Sequence, residues 1–89
     1  MTTNGATINL EEAQRFLASC KSYSAELENA LAELKNSLDH VGNSWRDDDY
    51  GAICAMVADV EREAAKALQV TEESIVPYVS KKIDLVASK

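Results

Sequence analysis

From Leu10 onward the sequence sets an apolar or small residue at every third or fourth position: Leu10, Ala13, Leu17, Cys20, Ser24, Leu27, Leu31, Leu34, Leu38 and Val41. Steps of three and four in alternation average 3.5 residues, close to the turn of an α-helix and far from the two-residue period of a strand. Such a run marks one narrow stripe along a single long helix, the seam of a coiled-coil-like packing. Only Ser24 interrupts it. Phe16, Tyr23 and Ala30 lie beside the stripe and widen it, as a helix needs when it must cover more than one neighbour. Composition agrees: the chain is rich in Ala, Leu, Glu and Lys, with one Pro, three Gly and 6% aromatics. Straight side chains lose little rotamer freedom in a helix, so this choice disfavours a sheet.

The ends of this helix are also written in the chain. Asn9 with Glu12 three residues on has capping-box spacing, and Glu11 and Glu12 suit the positive end of the helix dipole. Gly42 can take the left-handed conformation that closes a helix at little cost. Helix 1 is therefore expected at about residues 9–41, roughly 50 Å long, with a turn at 42–46. Ser44 and Asp47 repeat the capping-box spacing and open helix 2, at about 47–86. Its stripe runs through Tyr50, Ile53, Val57, Val60, Ala64 and Ala67. Near Leu68 the phase slips by one position and continues through Leu68, Ile75, Val79, Ile83 and Val86. That slip is a stutter, which locally unwinds supercoiling. Pro77 either kinks or breaks the helix, at ~3 kcal/mol or more in an ordinary interior. Apolar spacing resumes beyond it, which favours a kink; the residues after Ala87 are expected to fray.

The fold class that follows is all-α: residues 1–89 as one antiparallel helical hairpin, because a turn this short leaves the helices no other arrangement. Two helices cannot cover the apolar side of such a rod. Two hairpins packed face to face as a four-helix bundle can, and about a dozen leftover apolar side chains at ~1.5–3 kcal/mol each supply the drive. The expected partner interface comprises Leu17, Leu27, Leu31, Leu34, Leu38, Ile53, Val57, Val60, Leu68 and Ile75. A homodimer and a heterodimer both satisfy this reasoning, and Ser24 in the seam could specify register or partner.

Several function classes lose ground. A formal charge of −6 repels phosphates, which speaks against nucleic acid and anionic lipid. No stretch approaches the ~20 apolar residues of a membrane span. Met1 to Thr7 is short and polar, with no apolar run behind it, so the expected location is cytoplasmic, with export by a route that reads no cleaved signal left open. Cys20 in a hairpin turning near residue 44 lies across from about Leu68, some ~20 Å along the axis from Cys54, so an intrachain disulfide is out of reach. Each cysteine reads as a small apolar residue in a reducing compartment, an interchain bridge staying open. Asp47, Asp48 and Asp49 match a helix N-terminus better than calcium, which needs converging oxygens on a looping backbone. His40, the only histidine, suits the C-terminal end of helix 1 and has no second metal ligand at a useful spacing. Lys81, Lys82 and Lys89 make the C-terminal end basic, complementing a helix dipole or steering an acidic partner. With no nucleophile–base pair and no phosphate loop, the chain is expected to be no enzyme and to carry no cofactor or metal.

Trp45 in the turn between two long amphipathic helices resembles the layout of the WXG100 (ESAT-6-like) proteins of bacterial type VII secretion systems, over nearly the whole chain. The family's Trp-x-Gly turn reads Trp45-Arg46-Asp47 here, and Lys82 stands four residues after Tyr78, where the family's export signal has an acid. The chain is thus a divergent relative in pattern. The resemblance implies association with type VII secretion, as a homodimer, as partner of another small helical protein, or with the helical N-terminal region of a secreted effector. Trp45 would then be a recognition point, or an indole that caps the end of the hairpin core. The alternative is a cytoplasmic helical adaptor or structural coiled-coil subunit unrelated to secretion.

Overall fold

The computed structural model describes residues 8–88. It is an all-α antiparallel hairpin with two long helical arms. The first arm is α1, Leu10–Val41; the second is α2, Asp48–Val70, a π-helical turn, Thr71–Ile75, and α3, Val76–Ala87. The rod measures 65 × 16 × 16 Å. Lys89 and the polar stretch Met1 to Thr7 lie outside the described residues.

α1 begins as its sequence dictates. Asn9 is in extended conformation and its side-chain oxygen accepts from the Glu12 N–H at 3.0 Å, satisfying one of the orphan donors of the first turn. The far end differs from expectation. Gly42 is right-handed helical, φ −64° and ψ −17°, so no left-handed residue ends α1. Glycine is needed there for space: a Cβ at residue 42 would lie 2.3 Å from the Tyr50 hydroxyl oxygen. Successive backbone bonds from Gly42, Asn43, Ser44 and Trp45 tighten the last turn instead.

The start of the second arm also differs from the Ser44–Asp47 box. Asp47 itself is the N-cap, its Oδ1 accepting from the Asp49 N–H at 3.0 Å, while Ser44 donates back to the Val41 carbonyl. Asp is as good an acceptor as Ser at this position and adds charge at the positive end of the dipole, which decides the choice.

The phase slip inferred near Leu68 is a π-helical turn over Thr71–Ile75, closed by the Val76 N–H bonding the Thr71 carbonyl. One residue inserted into the helix rotates everything after it, which carries the apolar stripe across the slip. It also places Pro77 in the first turn of α3, where its missing N–H is least costly. The arm therefore continues through Pro77, and Thr71, buried in the π turn, satisfies its hydroxyl by donating to the Ala67 carbonyl at 2.8 Å.

Burial along the rod is thin. Among the described residues the buried apolar ones are Cys20, Ala64 and Ile83, and no large side chain is fully enclosed. Most of these are small, and Ser24 and Thr71 join them. In the register that hydrogen-bonds Tyr50 to Leu38, Ser24 stands level with Ala64, so the arms meet closely where side chains are short. Two helices enclose little beyond such a line of contact, because every larger residue has one side left uncovered.

Candidate association surface

Helical geometry divides the apolar residues into a seam and a flank. Leu17, Leu27, Leu31 and Leu38 on α1, and Ile53, Val57, Leu68 and Ile75 on the second arm, are half-buried along the line between the arms. Of the ten residues expected to face a partner, only Leu34 and Val60 are exposed, at 41% and 49%. The stripe legible in the sequence thus serves the hairpin's own closure first.

The flank is carried by Phe16 and Tyr23 from beside the stripe and by Leu34 and Val41 from its edge. Phe16, Tyr23, Leu34 and Val41 are the exposed large apolar residues of α1, and at 100° per residue they fall within about 20° of one line. Across from them, Val60, Ala64 and Ala67 join Tyr23 and Leu27 in a shallow groove of ≈ 440 Å³. A second groove of ≈ 400 Å³ lies at the open end, where Ala13 and Phe16 meet Tyr78 and Val79. The two grooves and the α1 row form one apolar strip along one side of the rod. The other side of the seam carries an ion pair between the arms. One residue past Leu34, and so about 100° further round α1, Lys35 reaches Glu61 on α2 at 2.8 Å. That bond raises the Lys35 pKa above its usual value. The remaining ion pairs, Glu11–Arg15, Asp59–Arg62 and Glu63–Lys66, are exposed links within one arm and stabilise it little.

The turn is a built structure. Asp47 Oδ1 accepts from the Trp45 indole N–H at 2.6 Å as well as from the Asp49 amide, so one carboxylate fixes the indole and caps α2. The Trp45 and Tyr50 rings lie 6.1 Å apart at 52°, a tilted pair of the kind aromatic quadrupoles favour. Tyr50 donates its hydroxyl to the Leu38 carbonyl at 3.0 Å, tying the first turn of α2 to the last of α1. The neighbouring Cys54 thiol, then burial, push the Tyr50 phenol above its usual range, so it stays a protonated donor. Trp45 remains 36% exposed, and Arg46 donates to the Asn43 carbonyl.

Other candidate groups do not converge. Cys20 is buried, Cys54 half-buried, and both are free thiols. No group of three or more His, Cys, Asp or Glu side chains able to hold a metal occurs among the described residues. Asp48 and Asp49 sit in the first turn of α2, where the dipole favours their charge, and His40 in the last turn of α1. No helix among the described residues is long and apolar enough to cross a membrane.

Sequence reasoning passed over four exposed apolar residues of the second arm: Met56, Val70, Tyr78 and Leu85, with exposures of 53–78%. For the last two a signal existed. Tyr78 and Leu85 are seven apart, two helical turns, and fall outside the seam once the extra residue of the π turn is counted. No protein-family model, curated protein or solved structure matches the chain.

Proposed function

We propose that the chain is a helix–helix association protein of the WXG100-like kind, acting in type VII secretion as a dimer or as the partner of a secreted effector. The observation that carries this reading is the one-sided apolar strip, Phe16, Tyr23, Leu34 and Val41 with the groove beside Val60, on a hairpin whose described residues include no fully enclosed large side chain. A surface of that shape accepts another amphipathic helix, by anchors spaced along one face. The hairpin layout with Trp45 held in the turn supports the placement within secretion. Tagged chain recovered from its own bacterium tests it. Co-purification with an exported protein of helical N-terminal region, abolished by Val60→Asp, is the expected result. Absence of any exported partner, together with absence of the chain from culture fluid in every partner background, would refute the secretion role. Lys82, standing where the family's export signal has an acid, favours the second reading, a structural adaptor that stays with its partner inside the cell.

A further inference from the structure

We propose that the outward face of α3, at the open end of the rod, docks an acidic amphipathic helix of a partner protein, whose carboxylates pair with Lys81 and Lys82 on either side of apolar contacts to Tyr78 and Leu85. The inference rests on the reading of the chain as a helix-association protein and adds the chemistry of one partner contact.

The π turn sets this face. Its extra residue rotates α3 so that Ile83 is buried, while Tyr78, Lys81, Lys82 and Leu85, at i, i+3, i+4 and i+7, share the side turned away from it. With Tyr78 as the origin, Leu85 lies about 20° from it and the two lysines about 40° and 60° to either side. Tyr78 is 78% exposed and Leu85 54%. The four side chains line one shallow depression of ≈ 270 Å³. Tyr78 and Lys82 also border the groove beside Phe16, so this face continues the apolar strip.

Charge selects the occupant. On a chain of formal charge −6 most cations are taken up: Arg15, Lys35, Arg62 and Lys66 by ion pairs, Arg46 by a carbonyl. Lys81 and Lys82 have no ion-pair partner among the described residues. Lys21 shares that condition, but no exposed large apolar residue stands three or four positions from it. The helix dipole does not account for the pair either. The last turn of α3 holds no basic residue, and the pull of the dipole fades within that turn. Two lysines bordering a tyrosine and a leucine complement a helix with apolar residues at i and i+7 and acids between them. An anionic bilayer fits less well. A plane laid along a 65 Å rod also meets Glu12, Asp59 and Glu63, which line the grooves. A peptide meets only what lies within about 8–10 Å, the screening length near physiological salt.

Magnetic resonance on the isotope-labelled full chain tests this. The probe is a synthetic helical peptide with leucines at i and i+7 and glutamates at i+3 and i+4. Titration should shift the backbone amides of residues 78–85. A glutamine version of the peptide should bind about 2- to 30-fold more weakly, the range that two exposed ion pairs allow. Lys81→Gln/Lys82→Gln should lose the same factor, and Lys81→Glu/Lys82→Glu should prefer a lysine version of the peptide. Circular dichroism verifies that each variant keeps its helicity. Equal binding of the glutamate and glutamine peptides, or no shift at 78–85, overturns the proposal. Cosedimentation with phosphatidylserine vesicles in place of peptide binding also overturns it and assigns the face to lipid. Val60→Asp keeps this contact apart from the flank. Peptide binding should persist in that chain. Binding lost in Val60→Asp but kept in the lysine variants moves the acidic helix to the flank, which overturns this site and leaves the association reading standing.

Discussion

Gly42→Ala isolates the physical reason for a glycine at the end of α1. The backbone there is right-handed helical, so alanine brings no torsional strain; taken alone it would stabilise by about 0.4–1 kcal/mol through the unfolded chain. Space opposes this. The new Cβ would stand 2.3 Å from the Tyr50 hydroxyl oxygen and 2.6 Å from Cζ, so the ring has to move. Movement breaks the 3.0 Å bond to the Leu38 carbonyl, worth about 0.5–1.5 kcal/mol, and disturbs the tilted stack on Trp45, worth about as much again. The tip of a side chain yields more readily than backbone, so overpacking adds only the low end of its usual ~1–3 kcal/mol. The expected net loss is about 1–3.5 kcal/mol, and each kcal/mol lowers the melting temperature of a domain this size by about 4–8 °C.

The assay is a double-mutant cycle by thermal and urea denaturation, followed by circular dichroism at one fixed chain concentration, since association also stabilises. In a Tyr50→Leu background the obstructing hydroxyl is gone, and Gly42→Ala should become neutral or mildly stabilising. An equal loss in both backgrounds would refute the steric account and return the glycine to a backbone role. No loss in the parent chain would show that the Tyr50 contact contributes nothing.

Leu27→Asp and Val60→Asp, which touch the same groove from opposite arms, should each weaken assembly by at least about 100-fold, since a charge would be buried without a partner; retained oligomer mass in light scattering would misplace the surface. Ser24→Ala should raise stability by about 1 kcal/mol, because the serine is 6% exposed and its Oγ has no hydrogen-bond partner; a lower melting temperature would reveal a partner for that hydroxyl. Alkaline titration should expose Lys35 and Tyr50. Both hold their protons more tightly when folded, Lys35 through Glu61 and Tyr50 through Cys54 and burial. Their stabilisation is therefore whole below the unfolded values near 10.5 and 10 and is lost as pH rises through the raised ones. A Lys35→Met/Tyr50→Phe chain should lose less of its melting temperature over that interval than the parent.

How far the sequence could be read depends on which physical signal each feature leaves. Periodicity is a property of one helix, so α1 and its partner arm were legible from Leu10 and Asp48 onward, and so was the break in phase that becomes the π turn. Asn9 was legible because an N-cap is a contact between neighbours in the chain. Gly42 and Ser44 were misread for the converse reason. Both are common end signals, but Tyr50, eight residues on, occupies the space beside Gly42, and Asp47, whose charge suits the helix dipole, takes the cap in place of Ser44 while also accepting from Trp45.

The division between seam and flank was the hardest to read, and it matters most for function. A row spaced at 3.5 residues says that a helix has an apolar side without saying whether its own second arm or another chain covers it. Leu17, Leu31 and Leu38, expected at a partner interface, are already half-buried within the hairpin itself. Phe16 and Tyr23, expected to broaden the stripe, are the residues left facing outward, at 50% and 46% exposure. The reason is geometric. Close approach of the arms at Cys20, Ser24 and Ala64 requires short side chains and leaves no room there for a ring. Bulky residues one step round the helix are therefore displaced to the rim, where a hairpin has nothing to place over them. A hairpin closed by small residues thus exposes its largest ones, and it is those, more than the stripe, that a partner helix would have to cover.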